Sequence, residues 1–324
     1  MSASSASAVG VAKPPWQRSW FFCAPGEVIT LCWIAGIHLA VVLGLIFLPA
    51  PTWGVVATAA GLVFMGGLGT TVCYHRALAH RGVLLNPVVE QILIFFTVFN
   101  GSGNPRTWVA MHRLHHATSD RPDDISSPHY GGFWWAHLRW LWQADQGRSE
   151  RFAQDLGGFR YRFWGHAQIA VLALSAFGGL LWPAATRPEI LTAWLWIGPL
   201  RLVWALHAQC AVNSICHLGQ MTDEGGSSRN VWWLTWLHLG QGENWHANHH
   251  NQQVDPRLGY GSQLDIGWWT IRALRVVGLA SAVRDPRHRR DQKTAMSEAK
   301  TVVIDPNAIP QATSPAAQAQ TSAV

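Results

Sequence analysis

Apolar residues along this 324-residue chain gather into long blocks separated by polar stretches. Crossing a hydrocarbon core of about 30 Å takes roughly 20 helical residues. Two blocks near the N-terminus meet that length, 29–48 and 53–74. The link between them, Pro49-Ala50-Pro51-Thr52, is short and breaks helices, so the pair predicts an antiparallel hairpin. A second pair follows at 167–182 and 190–211, joined by the proline-bearing link 183–189. The first member of that pair is short and interrupted by Gly178-Gly179. A fifth run, 88–99, is too short to cross and opens on Asn86-Pro87, a helix cap and first turn. It predicts an interfacial or buried helix. The expected fold is an all-α membrane protein: four transmembrane helices as two hairpins, with a helical cap from 75–165 and 212–283 holding any site.

The flanks are different in kind. Residues 1–26 are polar and rich in Ala, Ser and Pro, and predict a polar N-terminal segment without a secretory signal. Residues 27–283 form the membrane domain. From 284 the chain turns basic and then Ala/Gln/Thr/Ser/Pro-rich, which predicts a disordered tail over 284–324.

Composition sharpens this picture. Hydrophobic residues make up 49% and charged residues 13%, against roughly 25% charged in a soluble domain. That excludes an ordinary soluble enzyme, and disorder through the body of the chain. The mean hydropathy is only +0.07, so a large polar part must accompany the spans. The net charge of +6 comes from dispersed basic residues with no nucleic-acid reader motif. Their placement reports orientation instead. Ten Lys and Arg lie between Arg76 and Arg162, and ten from Arg229 onward, whereas link 49–52 has none and link 183–189 only Arg187. Positive-inside asymmetry then puts both termini and both polar segments in the cytoplasm. The five cysteines are scattered and predict no disulfide framework.

The histidines carry the chemistry. Eight of the 16 fall in three clusters: His75 and His80 in HRALAH, His112, His115 and His116 in HRLHH, and His246, His249 and His250 in HANHH. A ninth, His217, follows the fourth span in NSICH. On a helix, positions i, i+3 and i+4 share a face, so HRLHH and HANHH should each present three imidazoles to a common point. The five-residue step from His75 to His80 does not fit one face of a regular helix and predicts a helix end with altered winding. Imidazole suits iron, zinc, copper or nickel, and nine rings exceed one metal's shell, so two metals are expected. His38, His137, His166, His207, His238 and His288 have no local partner pattern and read as packing residues. Asp265, Glu243, Asp120 and Asp124 lie near the clusters and are candidates to accept N–H bonds from ligand histidines. Among them Asp265, set between apolar Leu264 and Ile266, is the leading one.

These clusters resemble the three histidine boxes of the integral-membrane acyl desaturases, HxxxxH, HxxHH and HxxHH. The resemblance covers roughly residues 29–280 and extends to Asn213-Ser214 before His217, to 116–120, 132–137 and 264–269. It implies a diiron centre, with His75, His80, His112, His115, His116, His217, His246, His249 and His250 as ligands and Asn213 reaching a metal through water. It implies O2-dependent insertion of a C=C bond into a fatty acyl chain. Acyl-CoA members of the family carry an Arg-Asp pair where Ala110-Met111 stands, and basic residues where Tyr130-Gly131-Gly132 stands. The expected acyl carrier is therefore a glycerolipid or an acyl carrier protein rather than CoA. Nothing in the chain resembles a haem or iron–sulfur module, so a separate ferredoxin or small haem cytochrome is the expected electron donor. Related oxidations on the same scaffold (acetylenation, hydroxylation, terminal-alkene-forming decarboxylation) share these residues. A His-rich metal transporter is a remoter alternative, since transport needs ligands along the path through lipid.

Overall fold

The computed structural model describes residues 14–145, 147–222 and 226–284; the tail expected over 284–324 lies, apart from its first residue, outside them. Four long apolar helices dominate: α1 (Val28–Phe47), α2 (Trp53–Ala79), and further along the chain two more, Phe159–Leu181 and Arg187–Ile215. Between the pairs lie α3 (Pro87–Phe99) and α4 (Pro105–Thr118). The two remaining spans are then α5 (Phe159–Leu181) and α6 (Arg187–Ile215), followed by α7 (His246–Asn251) and α8 (Ile266–Val276). β1 (Leu84–Leu85) and β2 (Ala280–Ser281) pair antiparallel, Leu84 opposite Ser281, and tie the end of the domain back to the exit of α2.

Helix starts follow the sequence. Thr52, Asn86 and Asn104 each accept a backbone N–H of the first turn, and Thr186 with Glu189 forms a reciprocal capping box. The proline links end α1 and α5 where expected. The third span is longer than predicted, beginning at Phe159 rather than 167. Arg160 and Arg162 interrupt its apolar pattern, yet Tyr161 between them and Trp164 just beyond are buried against the cap, so tertiary packing extends the helix.

Ile29, Leu45, Ile46 and Phe47 on α1 stay exposed, as lipid-facing residues should. α6 packs against both of the first spans: Leu195 lies against Gly44 of α1, and Ala193 and Ile197 pack with Val55 and Ala59 of α2. Arg201, buried within α6, donates to Asn100 Oδ1 (3.0 Å) and the Ile197 carbonyl (2.7 Å), so its charge turns into the protein. The main core gathers Val72, Tyr74, Ile94, Val109 and Ile271 where the end of α2 meets α3, α4 and α8. A Cβ at Gly69 would collide with the Leu93 carbonyl, so only glycine lets α2 and α3 approach this closely. The five cysteines are free thiols.

Candidate dimetal site

The last eleven residues of α2, Gly69–Ala79, wind as a π-helix. The His80 N–H bonds to the His75 carbonyl five residues back (3.1 Å) rather than four. This is the altered winding that the HRALAH spacing requires, and it brings both rings into one cluster with centroids 5.0 Å apart. α4 carries HRLHH and α7 carries HANHH. His217 follows two residues after α6 ends.

The nine rings sort into two adjacent groups, His75, His80, His112, His116 and His249, and His115, His217, His246 and His250. Within each group the candidate ligand atoms lie within 4.8 Å of one another. The expectation that each HxxHH box serves a single point is therefore corrected. In both boxes the i and i+4 rings stay together while one ring crosses to the other centre: His115 leaves His112 and His116, and His249 leaves His246 and His250. On a helix i+3 and i+4 fall on opposite sides of residue i, so a box pressed between two centres divides.

Every inward-facing atom is an Nε2. His75 and His249 approach at 3.0 Å, His249 and His116 at 2.9 Å, and His80 and His112 at 2.7 Å. In the second group His217 and His246 lie at 2.9 Å and His250 and His246 at 3.0 Å. Three carboxylates hold the outer nitrogens. Nδ1–H of His75 donates to Glu243 (2.9 Å), that of His115 to Asp124 (3.0 Å), and that of His217 to Asp120 (3.0 Å). Those bonds fix the tautomer of these three rings and leave a bare lone pair on the inner nitrogen of each, and the buried His115 Nε2 has no hydrogen-bond partner. Inner nitrogens packed this closely, His75 in one group and His115 and His217 in the other with no proton to share, suit a cation in each group, so these residues fit a pair of metal ions.

Electrostatics point the same way. Burial first, then the charge that neighbouring imidazoles would carry, holds His80, His112, His116, His246, His249 and His250 well below the ordinary imidazole range. That favours the neutral imidazole, the form able to offer a lone pair to a cation. Burial pushes the Glu243 carboxyl up, but His75, Arg76 and Thr71 outweigh it and hold the group at about 2. Asp120 and Asp124 are likewise depressed, burial being overcome by His217 and Ser227 for one and His115 for the other.

Asp265 does not take the role expected of it. Its carboxylate accepts from Arg76 (2.8 Å), from the Leu258 and Gly259 amides, and from Trp268 N at the start of α8. It contacts no histidine in these bonds; it anchors the residue beside His75. Asn213 lines a cavity of about 580 Å³ together with His112, His115 and His246. Away from the histidines the walls of this cavity include Ile37, Val63, Val98, Leu172, Leu202 and Leu206.

Three histidines read as packing residues join in a chain that sequence reasoning missed. His38 meets His207 (3.0 Å), His207 meets His137 (2.8 Å), and His137 meets Ser214 (2.8 Å), linking α1 and α6 to the cap. No sequence spacing signals partners 70 and 169 residues apart.

A family model for fatty acid desaturases matches residues 51–277. The chain belongs to the fatty acid desaturase family. It is 34% identical over 253 residues to the Delta-9 acyl-lipid desaturase 1 of Arabidopsis thaliana, covering 76% of this chain and 80% of that protein. It is 33% identical over 264 residues to the sn-1 stearoyl-lipid 9-desaturase of Anabaena variabilis, covering 77% and 90%. An acyl-CoA 5-desaturase of Anemone leveillei matches at 32% over 297 residues, covering 86% and 85%. This desaturase-family chain is an oxidoreductase, and its described residues include four helices apolar enough to span a membrane.

Proposed function

We propose that this chain inserts a C=C bond into a fatty acyl group, using O2, two irons held by the nine histidines, and electrons from a separate carrier. One observation carries the reading: two adjacent imidazole groups share a cavity, reached through His112, His115 and His246, whose walls also carry a run of apolar side chains. Iron, when bound, supplies the dioxygen chemistry that removes hydrogens from unactivated methylenes, which acid–base side chains cannot do.

The chain's own residues supply position. Glu243, Asp124 and Asp120 hold rings in the ligating tautomer. Ile37, Val63, Val98, Leu172, Leu202 and Leu206 offer an acyl chain a dry bed that sets which methylenes lie below the histidines. Asn213, which lines the same cavity as His112, His115 and His246, would hold a water against one metal.

The acyl carrier follows from charge. Buried Ala110, cavity-lining Met111 and half-exposed Tyr130 offer a polyphosphate no cation. A glycerolipid-linked or carrier-protein-linked acyl chain fits better, and two relatives are named for acyl-lipid substrates. The Lys and Arg distribution supports cytoplasmic termini and a cytoplasmic histidine centre. An acidic ferredoxin or small haem cytochrome would dock on that basic side.

The test is reconstitution with acyl-lipid, acyl carrier protein and acyl-CoA substrates, a reducing system and O2, beside a His249→Ala control. The expected product has lost the mass of two hydrogens, forms fastest from lipid or carrier protein, and is absent from the control. Bound iron should be roughly two per chain. A hydroxylated product would overturn desaturation, and preference for acyl-CoA would overturn the carrier assignment.

A further inference from the structure

Trp232 and Trp236 are 71% and 75% exposed, with Trp233 half-exposed beside them. Segment 231–241 that carries them contains no Lys, Arg, Asp or Glu. It falls in the stretch 212–283 that the sequence assigns to the cytoplasmic cap, but its contacts lie along the spans. Trp204 Nε1 of α6 donates to the Leu237 carbonyl (3.1 Å), and His238 Nε2 meets the Ala208 carbonyl (2.8 Å). Gln241 Nε2 donates to the Phe64 carbonyl of α2 (2.8 Å).

Depth follows from helix rise. About 20 residues counted from the far ends of α2 and α6, at Trp53 and Arg187, carry the hydrocarbon core to roughly residues 73 and 207. Phe64 then lies about 13 Å inside the boundary and Trp204 about 5 Å inside it. The segment runs beside both.

Its backbone is irregular. After the single turn Leu234–Leu237, Leu239 has φ 48°, Gly240 φ 74° and Gly242 φ 101°. Irregular backbone survives at that depth only where its polar groups are satisfied. Here Gly240 N bonds to Thr235 O (2.8 Å), Gln241 N to His238 O (3.0 Å), and Asn244 Nδ2 to the Thr235 hydroxyl (2.9 Å). On the inner side Leu237, His238, Leu239 and Gln241 wall the cavity.

We propose that segment 231–241 is a re-entrant element, dipping into the leaflet on the histidine side and setting Trp232, Trp233 and Trp236 against phospholipid acyl chains. Three indoles without a charge among them suit the boundary of a bilayer, where the ring is buried and the N–H is wet. The exposed face continues directly into half-exposed Trp204 on a span, so the occupant is the same lipid that surrounds α6. The wall between bilayer and cavity is one segment thick at this place. The inference stands on the spans alone, whatever the reaction.

The full chain in phosphatidylcholine nanodiscs tests it. With benzoylphenylalanine in place of Trp236, irradiation should add the mass of one phospholipid, and the same substitution at exposed Gln253 should not. A crosslink to a second copy, or equal lipid labelling at both positions, overturns the proposal. The unsubstituted chain gives an independent reading by hydroxyl-radical footprinting. A Trp236 standing in water would oxidise within about twofold of its rate in the denatured chain, whereas lipid cover should slow it about tenfold. The former result overturns the proposal.

Discussion

Asp120 offers the sharpest perturbation of the centre. It is buried, and its backbone is left-handed at φ 56°, a conformation Asp and Asn tolerate. Oδ2 accepts from His217 Nδ1 (3.0 Å), Ser227 N (2.9 Å) and Ser227 Oγ (2.8 Å), and Oδ1 from Ser127 Oγ (3.1 Å). Asp120→Asn keeps the shape: the amide oxygen can serve the first three donors, and the amide NH2 can donate to Ser127. Only the charge is lost. A hydrogen bond to an ionised group contributes roughly 1.5–3 kcal/mol against about 1 for a neutral one. The difference, about 1.4 kcal/mol, is roughly tenfold in the affinity that His217 supports. Asp120→Ala instead strands the His217 and Ser227 N–H groups and should weaken binding about a hundredfold. The assay is iron retained by purified protein against rising chelator. Because Asp120 touches only the four-histidine group, Asp120→Asn should release iron in two steps. The first should shift to about tenfold lower chelator and the second should not move. A single step shifting as a whole, or no shift, would refute the separation of the two groups and the role given to Asp120.

Two further outcomes are expected. Asp155 pairs with Arg113 (2.6 Å) and Arg81 (2.8 Å), and these arginines adjoin His112 and His80. Burial raises its carboxyl, but those cations outweigh it and hold the group below its ordinary value. A depressed carboxylate stabilises the fold above its unfolded pKa of about 3.9 and loses that contribution as pH falls through the folded value. Asp155→Asn should therefore lower stability by about 1 kcal/mol at pH 7, the pair being partly exposed, and the difference should close below pH ~3.9 in parallel thermal melts. A gap that persists in acid would remove the ion pair as its cause. Asp265→Ala leaves Arg76 buried without its counter-charge and should cost about 3–5 kcal/mol, read as a lowered melting temperature. Adding Arg76→Met should recover part of that loss, and a double variant no better than the single one would count against the pairing.

What the sequence made legible was whatever local spacing encodes. Proline links and block lengths mark all four spans, and the five-residue step in HRALAH marks a departure from α winding. Long-range placement was less accessible. Whether His115 sits with His112 or across from it depends on where α7 approaches α4, which no spacing within HRLHH records. Asp265 was misread because a carboxylate between apolar residues announces burial but not which partner meets it, and Arg76 is 189 residues away. The first turns of the third span, 159–166, escape the sequence pattern because charges facing water interrupt the apolar run.

The π winding of Gly69–Ala79 makes the gap between His75 and His80 a matter of length as well as identity. At 100° per residue, an ordinary helix would turn two rings five positions apart to about 140° from one another, whereas four positions would leave them about 40° apart. Removing one residue from the intervening Arg-Ala-Leu-Ala would satisfy an α-helix but shorten the approach to Arg81, whose left-handed φ of 52° swings the chain out toward β1. The spacing of this box therefore records two requirements at once, one set by the rings and one by the exit path. A single deletion here should disable the protein even with every histidine intact.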